Sequence, residues 1–315
     1  MRPVNVFYAV LVLAGLLAPW LGVYPVYLMT LYCFAIFACA FNLLLGYGGM
    51  LSFGHAAYFG VSAYATGWLV TQHGWATLPA LAAGVVASAV LGLVIGLIAI
   101  RRSGIYFAMI TLALGQVVYF VCLQAPFTGG ENGLQGVPRG SLLGLPLTSD
   151  TAMYYFVFAV LVAVFLAIHR IVNSPFGQVL KAVRENEPRA ISLGYKVDRY
   201  KLVVFVLSSS LAGLGGALKS LVLGFATLSD VLQATSGEVI LMTLLGGAGT
   251  FFGPVLGAGV VITLQDTLSD RVGSWVTVII GVIFVVCVMA FRKGIVGESL
   301  AFATRRAAVK LLLKK

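Results

Sequence analysis

Charge is what this sequence has least of: Asp, Glu, Lys and Arg make up only 10% of its 315 residues, whereas a soluble domain carries roughly 25%. So little polar surface cannot cover a chain of this length in water, and a water-soluble globular fold is excluded. Histidine occurs three times and cysteine four. Cys33, Cys39, Cys122 and Cys287 all lie in apolar runs, without a CxxC pair or a nearby His or carboxylate, so a metal site is not expected and they read as small hydrophobes. Nucleotide motifs are missing as well. GLGGALKS (213–220) has Leu218 where a P-loop needs glycine, and GAGTFFG (247–253) has its third glycine one place too late for a dinucleotide fingerprint.

Apolar residues dominate what is there: 60% of the chain is hydrophobic, with 37 glycines and a mean hydropathy of +1.03. Runs of this length need lipid as solvent. They predict an all-α polytopic membrane bundle with about eight full spans, near 4–22, 26–45, 50–70, 76–100, 105–124, 151–172, 201–227 and 272–292. No signal-peptide cleavage pattern follows the first run, so it is expected to be a retained helix. A ninth apolar region, 236–266, is broken by Gly246, Gly247, Gly249, Gly253 and Pro254. With the N-terminus and C-terminus both inside, 17 of the 20 basic residues fall on the cytoplasmic side, as the positive-inside rule requires. That threading makes 236–266 a hairpin of two short helices entering from outside. It also explains the net charge of +10 without nucleic acid. Residues 1–292 form the expected membrane domain, with an outer loop at 125–150 and an inner loop at 173–200. Residues 293–315 form a basic cytoplasmic tail, expected as an interfacial helix on anionic lipid.

The inner loop begins Ser174-Pro175, a helix start. Phe176, Val179, Leu180 and Val183 then recur on one face, Pro188 interrupts, and Gly194 is placed as a C-terminal cap. This pattern suits a helix lying on lipid or one docking into a cytoplasmic partner. GLVIG (92–96) and GPVLG (253–257) are small-residue packing pairs. None of the eight spans carries Asp or Glu near its centre, which argues against a proton relay. Lys219 is expected to snorkel from the outer end of its helix. His55 is the remaining candidate ionisable group, more simply read as a packed histidine.

Four segments resemble the permease subunits of ABC importers for branched-chain amino acids: FNLLLGYGGMLSFGHAAYFGVSAY (41–64), SGIYFAMITLALGQ (103–116, similar to the second of the two permease types), FGQVLKAVRENEPRAISLGYKVDRYKL (176–202) and LMTLLGGAGTFFGPVLGA (241–258). The resemblance implies an inner-membrane complex with a second permease subunit, two cytoplasmic ATPase subunits that bind the ATP, and an extracytoplasmic binding protein. It implies no catalytic residue, metal or cofactor in this chain itself. Arg184, Glu185, Asn186, Ala190 and Gly194 match the loop that sits on the ATPase. Ser52, His55, Gly246, Gly247, Gly249 and Thr250 are candidates for the translocation path. The cargo follows from the resemblance as a branched-chain or related amino acid; urea or short amides in an ABC permease, or an ion-coupled secondary transporter, are the alternatives.

The threading is tested by single cysteines at Gly140 and Val309 in a cysteine-free background. The first should label from outside and the second from inside; labelling of both from one side would sink it.

Overall fold

The computed structural model describes residues 12, 15–16, 18–22, 24–142, 145–275, 278–279, 281–283, 285 and 294. The expected first and last spans lie largely outside these residues, and the tail 293–315 almost wholly so. The described chain is a helix bundle: α1 Pro25–Asn42, extended by a π turn over Leu43–Tyr47, α2 Ala56–His73, α3 Thr77–Ala99, α4 Ile105–Gln124, α5 Asp150–Asn173, α6 Pro175–Glu185, α7 Glu187–Ser192, α8 Val197–Leu223, α9 Gln233–Gly246 and α10 Gly253–Val272. Five of them, α1 with its extension, α3, α4, α5 and α8, are long and apolar enough to cross a bilayer.

The middle of the bundle is α8, packed against α1, α2 and α3. Close approach there depends on small residues, because lipid tails give helices no hydrophobic reason to associate. A Cβ at Gly216 would overlap the Phe59 carbonyl oxygen of α2, and one at Gly92 of α3 would overlap the Ser209 hydroxyl of α8. Hydroxyls supply the adhesion: the Ser208 hydroxyl of α8 donates to the Ala40 carbonyl of α1 at 2.5 Å. By contrast α4 is lightly held, with Ile105, Tyr106, Met109, Val117, Phe120 and Val121 all exposed.

Several sequence expectations need correction. Where a span was expected over 50–70, the helix starts only at Ala56, and residues 48–55 are irregular. Side chains from other helices satisfy that backbone: the Phe53 amide donates to Thr111 Oγ1 of α4 at 3.2 Å and the Ala56 amide to Ser236 Oγ of α9 at 2.9 Å. The hairpin's second arm is not short, since α10 has 20 residues, about 30 Å of helix. The all-α expectation misses a small β element, in which Leu134–Gln135 of the outer loop pairs antiparallel with Phe225–Ala226 after α8.

Lys219 does not snorkel. It is 8% exposed and paired with Asp230, itself 3% exposed, while Asp230 Oδ2 also accepts the Thr227 amide at 3.2 Å. A buried lysine with a carboxylate eleven residues on is stabler paired inside than stretched toward water. Replacing Lys219 with Met alone leaves that carboxylate uncompensated and should cost about 3 to 5 kcal/mol. Lys219→Met with Asp230→Asn should recover most of it, read as thermal denaturation of the purified protein. Equal stability of the single and double variants would contradict the pairing.

Candidate functional site

Two breaks in regular helix meet at the end of the bundle that carries α6 and α7. The first is the π turn Leu43–Tyr47 that extends α1. The second is the hairpin turn between α9 and α10, residues 247–252. Irregular backbone at membrane depth must find its partners in protein, and here one residue supplies two. Asn42 accepts the Gly249 amide on Oδ1 at 2.8 Å and donates from Nδ2 to the Thr250 carbonyl at 2.9 Å. Thr250 Oγ1 closes the turn by donating to Gly247 O at 2.6 Å and accepting the Gly253 amide at 3.1 Å.

Arg184 near the end of α6 ties the loop to this clasp. Its guanidinium donates to the Gly46 carbonyl, and a Cβ at Gly249 would lie 3.2 Å from Arg184 Nη1 and 3.1 Å from Gly46 O. Gly249 has φ +78°, so glycine is needed there both for the backbone angle and for the close approach. Lys181, one turn earlier, stands 5.8 Å from the Tyr47 ring centre. Beside the junction opens a cavity of about 640 Å³, lined by Tyr47, His169, Lys181, Glu185, Phe251 and Phe252 among others. Phe251 packs on Phe165 of α5 at 4.4 Å between ring centres. Loop helix, hairpin turn and π turn thus form one bonded unit.

Deeper in the bundle lies His55, fully buried. It stacks on Phe37 and meets Tyr58 edge-on. Its Nε2 is 3.2 Å from Ser208 Oγ. Because the Ser208 hydrogen goes to Ala40 O, the serine oxygen accepts and the ring proton is assigned to Nε2. That leaves His55 Nδ1 and the neighbouring Ser52 Oγ buried without a partner among the described residues.

The expected site residues therefore separate by level. Gly249 and Thr250 join Arg184 at the loop end, whereas Ser52 and His55 sit deeper, one turn from the Ala56–Ser236 contact. Gly246 ends α9 and Gly247 opens the turn, its carbonyl accepting the Thr250 hydroxyl. Of the loop residues, Arg184 points into the bundle and Glu185 lines the cavity. Asn186 caps α7 by accepting the Arg189 amide at 3.1 Å. Ala190 is buried with Val183 and Val197, and Gly194 follows α7 at φ +87°. Sequence reasoning missed Asn42, although an amide inside an apolar run was a signal. It also missed Glu238 on α9, which accepts from Gln265 of α10 at 3.0 Å and sets a carboxylate inside the hairpin.

Residues 25–288 match the family described as branched-chain amino acid transport system / permease component. The chain belongs to that family. As a permease component it is a multi-pass protein of the inner membrane, and the family is not a class of enzymes. It is similar to the high-affinity branched-chain amino acid transport system permease protein LivM of Salmonella typhimurium, 29% identical over 75% of this chain and 61% of that protein. LivM of Escherichia coli is 28% identical over the same shares. The ribose import permease protein RbsC of Bacillus subtilis is 31% identical over 53% of this chain and 52% of its own length. The chain spans about three fifths of the length of the two LivM proteins. No solved structure gives a significant match.

Asn42→Leu should free the Gly249 amide and the Thr250 carbonyl at a cost of about 1 to 3 kcal/mol each. The expected signature is faster amide hydrogen exchange confined to residues 247–252, with α3 unchanged. Unaltered exchange at the turn would show that Asn42 does not hold it.

Proposed function

We propose that this permease component is one membrane subunit of an ATP-driven importer for branched-chain or related amino acids. It works with a second permease subunit, two cytoplasmic ATPase subunits that bind the ATP, and an extracytoplasmic binding protein. In this reading both termini and the loop 173–200 face the cytoplasm, and α6 and α7 are the docking surface for an ATPase. Closure of the ATPases pushes on α6, and the pathway alternates between outward and inward access.

The observation that carries the reading is the Arg184 bond to the Gly46 carbonyl beside Gly249. It gives a push on the loop a rigid route to both the hairpin turn and the π turn of α1. A packed core transmits such a shift between discrete arrangements and does not absorb it. Amino acids are favoured by the family and by LivM. The likeness to the ribose permease supports a second reading, a sugar-like cargo, and uptake of labelled leucine, isoleucine, valine and ribose by the reconstituted complex separates the two.

Gly249→Val places a β-branched side chain at φ +78° against Arg184, costing about 1 to 3 kcal/mol at that turn. If the cost falls on the moving state, uptake per assembled complex drops roughly tenfold while assembly persists. Glu185→Lys should leave the protein inserted but weaken substrate-stimulated ATP hydrolysis. Normal uptake in the first and normal hydrolysis in the second would remove the coupling role from this junction.

A further inference from the structure

A second cavity of about 630 Å³ lies between the start of α4, the irregular segment 48–53 and the loop helices. Its lining holds three cations, Arg102, Arg184 and Lys201, and a single carboxylate, Glu187. Lys201 is only 7% exposed and donates to Glu187 at 2.6 Å, so that charge is matched. One Arg184 Nη is occupied by the Gly46 carbonyl, a neutral group. Arg102 has no side-chain partner among the described residues. The cavity therefore carries an excess of about two positive charges, on the exposed side chains of Arg102 and Arg184, a local field that attracts anions.

Its other walls are apolar, with Met50, Leu51, Phe53 and Phe107, and it opens beside α4, where Ile105 is 74% and Tyr106 70% exposed. An exposed tyrosine one turn from a pair of arginines marks the headgroup level of a membrane protein. Basic pockets between membrane helices are suited to acidic lipid headgroups.

We infer that this cavity binds the phosphate of an anionic phospholipid, with Arg102 as the principal contact and the glycerol and upper acyl chains against Met50, Leu51 and Phe107. The leaflet, cytoplasmic, rests on the topology proposed above; the chemistry does not depend on the cargo. A free phosphate would use the same cations but has no use for the apolar walls or for the opening toward α4.

The test uses the assembled complex, purified in detergent with added phosphatidylglycerol and washed, the retained lipid being counted by native mass spectrometry. Wild type should retain phosphatidylglycerol and not phosphatidylcholine. Arg102→Gln should lower retention about fivefold, the effect of one basic group at a membrane surface, and Arg102→Lys should restore most of it. Since Arg102 is exposed, both variants should fold, which an unchanged melting temperature checks. Equal retention of the two lipids by wild type, or undiminished retention in Arg102→Gln, would overturn the site. Displacement by inorganic phosphate would assign it to a soluble phosphate and overturn the lipid.

Discussion

Inside a bilayer no water is at hand to bond an irregular backbone, and an unpaired amide there costs several kcal/mol. The architecture follows from how that constraint is met at two breaks in the helices, residues 48–55 and 247–252. Hydroxyls of Thr111 and Ser236 hold the first, and the Asn42 amide and the Thr250 hydroxyl hold the second. Because Thr111, Ser236 and Asn42 come from three different helices, satisfying the backbone also fixes how α1, α4 and α9 stand to one another. The breaks are consequently rigid, and a force applied to one is felt by the helices that hold it.

Buried charge is treated in the same economical way. Lys219 and Asp230 neutralise each other beside the start of the hairpin, and the Glu238 carboxylate is met by the neutral amide of Gln265. Neither arrangement resembles a proton relay, which needs a chain of exchangeable groups leading to water. Among the described residues His55 Nδ1 and the hydroxyls of Ser52, Ser62 and Tyr64 are buried without a partner, the His55 ring being walled by Phe37, Phe41 and Tyr58.

Hydropathy and glycine placement made most of the bundle legible. The runs at 76–100, 105–124 and 151–172 agree with their helices to within a residue or so, because an apolar stretch bounded by charge or proline leaves a helix little choice in lipid. The loop helices were legible too: Ser174 caps α6 by accepting the Gly177 amide, and Gly194 takes the left-handed angle after α7. Illegible from sequence were contacts across long separations. Nothing local tells Lys219 that Asp230 will fold back onto it, or tells Arg184 that its acceptor is a carbonyl at Gly46. A polar pattern on one helix face identifies what is exposed on an isolated helix, not which of its side chains a distant turn will claim.

The Asn42 clasp has a consequence for how the protein is made. Its partner amide lies 207 residues further along the chain, and ribosomes add about 5 to 20 residues per second. For roughly 10 to 40 s of synthesis, α1 is therefore in the membrane with its amide unmatched, as is the Gly46 carbonyl until Arg184 emerges. Arrival of the hairpin turn, and not insertion of α1, is the moment at which this clasp can close. A chain that stops before residue 249 leaves the Asn42 amide without the two partners that the finished clasp gives it.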